Sequence, residues 1–260
     1  MKKSKKNIAF LYEGVKAEDE LLENLKQNFF AEQADISIFT LPADGNIYML
    51  WTRLKKDDFE TDVIDILCEM SSVAKQRIKE ANLKSSDCSE IYLFFDYDGH
   101  NNNIPQEYRG SDILGELLEI FNNETEFGKL YISYPMIEAI KEVDMEKADY
   151  KRLHIPLDEI GNYKNSFFEK SSCGKYTNLD QMRWKILCYA SQKRAMMIVS
   201  YKEICSYQDF IKKLGQKQIY KAEKEHYINN GRQLAILNSV PLFLLEYYDE
   251  DFWDSVIPSV

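Results

Sequence analysis

Five carboxylates stand at positions where acids do chemistry rather than solvate a surface: Glu13, Glu18, Asp96, Asp98 and Glu138. The first two lie in Phe10-Leu-Tyr-Glu-Gly-Val-Lys-Ala-Glu18, an apolar run that ends in glutamate and glycine before a second glutamate. Gly14 suits a tight turn and a close approach of backbone to a ligand. The second pair lies in Ile91-Tyr-Leu-Phe-Phe-Asp-Tyr-Asp-Gly99. Two aspartates one residue apart, just past a strand, can turn toward the same ion. Hard cations such as Mg²⁺ take several oxygen ligands, so a convergent set of carboxylates is the donor chemistry they need. Two such ions about 4 Å apart can clamp the attacking and leaving oxygens of a phosphodiester. Each motif alone reads equally well as a turn, since Asp and Gly favour turns; order and placement at strand ends favour the metal-site reading.

The elements around these acids read as alternating strands and helices. Asn7–Tyr12 and Ile91–Phe95 are short continuous apolar runs, and Asp35–Leu41 alternates before Pro42; all three predict strands. Ala17–Phe30 repeats Leu21, Leu22, Leu25 and Phe29 at helical spacing. The spacing of Val63, Leu67, Met70, Ala74, Ile78 and Ala81 predicts one helix over 62–81. Asp112–Phe121 predicts a helix, 129–133 a strand, and Met136–Val143 a helix with Pro135 near its first position. This alternation predicts an α/β fold with a mainly parallel sheet flanked by helices. Ligand groups in such sheets gather beyond the carboxyl ends of the strands, where Glu13, Asp96, Asp98 and the segment leading to Glu138 fall. Residues 149–178 lose periodicity and gain Pro, Gly and Asn, which predicts a long loop or flap. The rest predicts a mostly helical C-terminal subdomain, giving domains 1–148 and 149–260. Within it Met182, Ile186, Tyr189 and Ala190 are expected in the core, Val240–Tyr248 docks, and Asp249–Asp254, with Trp253, is expected at the surface.

Together the motifs resemble the Toprim family, over roughly residues 7–140. The spacing Glu13-Gly14-x-x-x-Glu18, with Tyr-Pro-x-x-Glu138 later, looks most like the stand-alone Toprim proteins of bacterial anti-phage defence. The RloB-like proteins and the nuclease half of the overcoming-lysogenization-defect nucleases are nearest in kind. The resemblance implies a Rossmannoid core and a nuclease acting on DNA or RNA, tRNA included, with Mg²⁺ or Mn²⁺. It implies metal or acid/base roles for Glu13, Asp96 and Asp98, and extends less directly to Glu18 and Glu138. It also implies control by a partner ATPase, since this chain has no Gly-x-x-x-x-Gly-Lys-Ser/Thr loop of its own. The distance from Glu13 to Asp96 is long for such a core and marks an insertion around residues 42–62. Two alternatives stay open: a non-catalytic Toprim scaffold, and a haloacid-dehalogenase-like phosphatase using Asp96 as nucleophile and Asp98 as acid/base.

Composition sets the remaining expectations. A net charge of −10 excludes nucleic-acid binding by bulk attraction, so a polyanion must meet local cations or bound metal. Gly14, Lys16, His100, Lys164 and Lys175 are the candidate substrate contacts, with Tyr163 and Tyr176 beside the last two lysines as stacking partners. Lys141, Arg183, Lys193, Arg194 and the run Lys212, Lys213, Lys217, Lys221 and Lys224 are further basic candidates. His154 and His226 are expected to be structural. Five widely spaced cysteines without a Cys-x-x-Cys pair predict reduced thiols and no zinc site. The apolar run after the basic start is too short for a secretory signal, and no long apolar stretch occurs, so the expectation is a cytoplasmic chain, without membrane, able to form a homodimer.

Overall fold

The structure is a computed structural model that describes residues 5–97, 104–167, 171–201 and 206–256. It opens with β1 (Lys6–Tyr12), α1 (Ala17–Phe29), β2 (Ile36–Pro42), α2 (Ile47–Lys55), α3 (Val63–Met70), α4 (Ser72–Glu80) and β3 (Glu90–Asp96). α5 (Ile113–Ile120), β4 (Asn122–Asn123) and β5 (Gly128–Ser133) follow. These strands form a five-stranded sheet in the order β2-β1-β3-β5-β4. β1 runs parallel to β2 and to β3, and β4 is antiparallel to β5. The architecture is α/β, mostly parallel and Rossmann-like. The chain divides into two compact units, Met1–Leu130 and Tyr131–Val260, within β5 and ahead of the boundary read near residue 148.

The core of the first unit follows from the composition of β1. Ile8, Ala9, Phe10, Leu11 and Tyr12 are all fully buried, because a central parallel strand has helices over both faces and reads as an unbroken apolar run. The Phe10 ring meets Phe30, Tyr92 and Phe94 edge-on, with centroids 5.4–6.1 Å away. Removing such a ring costs about 3–5 kcal/mol. α1 carries Glu18, Asp19 and Glu20 in its first turn, which suits the positive end of a helix. Residues 42–62, expected as an insertion, contain α2, capped by Asn46, whose side chain accepts the Met49 N–H at 3.0 Å.

The single helix expected over 62–81 is two. Ser71 sits in an extended conformation between α3 and α4, and its hydroxyl accepts the Ala74 N–H. Serine competes for backbone groups in this way and so favours caps over helix interiors. The apolar spacing survives the break, which is why the periodicity does not reveal it.

The second unit holds two short antiparallel pairs, β6 (Val143–Asp144) with β7 (Asp149–Tyr150), and β8 (His154–Pro156) with β9 (Gln233–Ala235). Its helices are α6 (Gln181–Ile198), α7 (Tyr207–Lys213), α8 (Gln216–Ala222), α9 (Asn229–Gly231), α10 (Val240–Tyr247) and α11 (Glu250–Val256). A π-helical turn, Glu223–Ile228, joins α8 to α9. The helix expected at 136–143 is a 3₁₀ segment, Ile137–Glu142, with Pro135 ahead of its cap. The expected flap contains a long 3₁₀ segment, Leu157–Phe167, and its Tyr163 and Tyr176 are buried at 1% and 4% exposure.

Two further expectations fail on phase. On α6, Met182 is 67% exposed and Ile186 and Tyr189 are half-buried; Ala190 is buried as expected, with Trp184, Leu187 and Cys188. Trp253 is buried and packs on Phe210 at 4.7 Å, so the acidic C-terminal helix turns this ring inward. α10 is buried as expected. No helix among the described residues is long and apolar enough to cross a membrane. Cys68, Cys88, Cys173 and Cys188 are free thiols, and Cys205 lies outside the described residues.

Candidate functional site

The sheet order fixes where the first acids go. The chain passes from β1 to β2 on one side, then returns past β1 to β3 on the other. Such a reversal leaves a crevice beyond the carboxyl ends of the two inner strands. Tyr12 is level with Phe94 in the β1–β3 register, and neighbouring strands lie about 4.8 Å apart. Glu13 is the next residue on one strand and Asp96 the second on the other. Both therefore leave the sheet at the same edge, partly exposed. Asp98 and His100 lie outside the described residues.

Glu18 belongs to the same corner. It is 6% exposed in the first turn of α1. A β-carbon at Gly14 would stand 2.9 Å from its Oε2 and 3.1 Å from its Oε1. The carboxylate is folded back over the turn, so a side chain at residue 14 would have to displace the free end of Glu18. The Gly14 backbone is not in the left-handed region, so the turn itself would admit other residues. Lys16 is exposed at the head of α1.

A polar network that no motif suggested ties this turn down. Arg77 of α4 donates from Nη1 to Asp19 Oδ1 at 2.8 Å and Tyr12 Oη at 2.9 Å. The same nitrogen reaches the Thr40 carbonyl at 2.9 Å and its hydroxyl at 3.0 Å. Nη2 reaches Asp19 Oδ2 at 3.3 Å, and the Tyr12 hydroxyl donates to Asp19. Burial pushes the Asp19 carboxyl up, but its bonds to Arg77 and Tyr12 outweigh this and hold it below the usual carboxylate range. Burial and the Asp19 charge push the Tyr12 phenol well above its ordinary value. The only sequence hint was the acid-rich start of α1; a bond between residues 58 apart leaves no local signal.

In the second unit Glu138 is 7% exposed at the start of its 3₁₀ segment, with Oε1 3.4 Å from Lys164 Nζ. Glu142 pairs with Arg152 at 2.7 Å. Burial raises the Glu142 carboxyl above its ordinary value against the pull of Arg152. Lys175 is exposed, and Lys141 stands over the Tyr176 ring at 5.1 Å. Tyr163 packs under the Arg152 guanidinium at 4.8 Å. Stacking of bases on Tyr163 or Tyr176 is therefore excluded, because both rings are spent on internal cations. Arg194 is also removed from the basic candidates, being 1% exposed. Lys193 pairs with Asp149 at 2.6 Å, and Lys213 with Asp209 at 2.7 Å. The 212–224 run is a solvated face with local ion pairs. His154 stacks on Tyr227 at 5.2 Å, a packing role.

The oxygen-only donors of the β1–β3 edge have the chemistry a hard divalent cation takes. Among the described residues no three His, Cys, Asp or Glu side chains gather closely enough to hold a metal; Asp98 is not among them. Fold and register together define a Rossmann-like α/β protein with Glu13 and Asp96 at the carboxyl ends of the two strands beside its strand-order reversal. Comparison with protein-family models, curated proteins and solved structures finds no match for the chain.

Proposed function

We propose that the chain is a Toprim-like, metal-dependent nuclease that hydrolyses phosphodiesters of DNA or RNA, tRNA among them. The observation that carries this reading is the shared departure of Glu13 and Asp96 from the sheet at the reversal between β1 and β3. Glu18, folded over the intervening turn, supports it.

On this reading Glu13 and Asp96, with Asp98, would hold Mg²⁺ or Mn²⁺. The bound ion would supply positive charge to phosphate oxygens and ease deprotonation of water. Glu18 would hold or pass a proton beside them. Lys16, exposed at the head of α1, would meet substrate phosphate. The biological setting that goes with the resemblance is an anti-phage effector restrained by a partner ATPase, active as a homodimer.

The test is cleavage of supercoiled plasmid, single-stranded DNA and tRNA with Mg²⁺ or Mn²⁺. The wild-type chain is expected to cut at least one of them. Glu13→Ala and Asp96→Ala should each lower the rate by at least about 10²-fold. Absence of cleavage with every substrate and ion, with and without the ATPase, would leave the scaffold reading. Turnover of small phosphate esters lost in Asp96→Asn would mark a phosphatase.

A further inference from the structure

We infer that Arg77 is a positioning residue for the acidic turn between β1 and α1, an inference that rests on the metal-dependent reading above.

The turn that carries Glu13 and Glu18 is bracketed by two residues. Tyr12 immediately precedes Glu13, and Asp19 immediately follows Glu18. Both brackets end on the same guanidinium, Asp19 through both carboxylate oxygens and Tyr12 through its hydroxyl. The third attachment is the Thr40 carbonyl of β2. One side chain thus joins the end of β1, the first turn of α1 and β2.

Geometry makes this a fixed link. Arg77 presents a rigid planar fork, and the two-point contact with Asp19 sets the angle as well as the distance. Lysine, a point charge on a flexible stem, cannot hold the same three elements in one orientation. The residue comes from α4, in the connection between β2 and β3. Groups that orient metal-ligating side chains without touching the ion act through such contacts, and their removal lowers metal affinity by about 10–100-fold.

A merely structural Arg77 would move stability alone, so the deciding measurement is binding of Mn²⁺ by itself. Titration calorimetry with the full chain is run on wild type, Arg77→Gln, Arg77→Lys, Tyr12→Phe and Arg53→Gln. Arg53 is a surface residue of α2, 4.0 Å from Glu69. Circular dichroism and melting confirm that each variant is folded at the titration temperature. Expected are a loss of about 10–100-fold in Mn²⁺ affinity for Arg77→Gln, a smaller loss for Arg77→Lys and no change for Arg53→Gln. A folded Arg77→Gln that binds Mn²⁺ like wild type overturns the inference and leaves the nuclease reading standing. Wild type that takes up no Mn²⁺ sinks the metal-dependent reading itself, and the inference with it. If Arg77→Gln does not fold, Tyr12→Phe decides. It removes one hydroxyl from the cluster, and an unchanged affinity there overturns the inference equally.

Discussion

Two arginines, one in each unit, are folded into opposite kinds of company. Arg77 meets a carboxylate head-on and keeps a third of its side chain in water. Arg194 is 1% exposed and, among the described residues, donates to backbone carbonyls, Ile236 at 3.0 Å and Leu153. The acids differ accordingly. Asp19, bonded to its arginine, stays charged. Glu223 is 0% exposed, with Oε2 accepting the Ala235 N–H at 3.0 Å and Oε1 sealed from water. Burial pushes its carboxyl up to about 8, against the weaker pull of that N–H and of Arg194. Nearness to a cation is thus not enough to keep a carboxylate ionised: a direct bond does so at the edge of the sheet, while burial wins where that bond is missing.

The largest effect expected from breaking this contrast is at Arg194. Arg194→Ala would leave two buried carbonyls unsatisfied beside a cavity, a loss of roughly 3–5 kcal/mol. Urea unfolding measures it, and a loss under about 1 kcal/mol would mean the site collapses without cost. Next comes Glu223. Between about pH 4.5 and 8 the folded chain holds this proton and the unfolded chain does not. Stability should therefore fall by a few kcal/mol as pH rises through that window, and level off on either side. Glu223→Gln should flatten the profile of melting midpoint against pH; a profile as steep as wild type would place the titration elsewhere. Smallest is Asp19→Asn, about 1 kcal/mol or less because the pair is partly solvated. Its sign is reversed: Asp19, held low, contributes stability above about pH 4 that fades as the solution turns acid. Denaturant midpoints of wild type and Asp19→Asn should part at pH 6 and draw together as the pH falls below about 4.

What could be read without coordinates follows the same division. The strands β1 and β3 and the helix α1 were legible because central parallel strands and a long amphipathic helix write their burial directly into sequence. Glu13 and Asp96 could be assigned to one edge because parallel strands end together. Ser71 hid inside an unbroken apolar period. The α6 stripe was read correctly at Ala190 and missed at its start, since Met182 and Trp184 are both large and apolar and only neighbouring elements decide which turns inward. Tyr163, Tyr176 and Trp253 looked like surface groups because their neighbours in sequence are polar. Arg77, Arg194 and Glu223 gave no sign, since their partners are fixed by tertiary approach and not by spacing along the chain.

Gly14 carries a consequence of its own. Because the Glu18 carboxylate rests where the first atom of any side chain would have to go, even a single methyl at residue 14 must nudge that acid aside. Substitution here therefore acts on where an acid lies and not on the backbone of the turn, whose conformation other residues adopt.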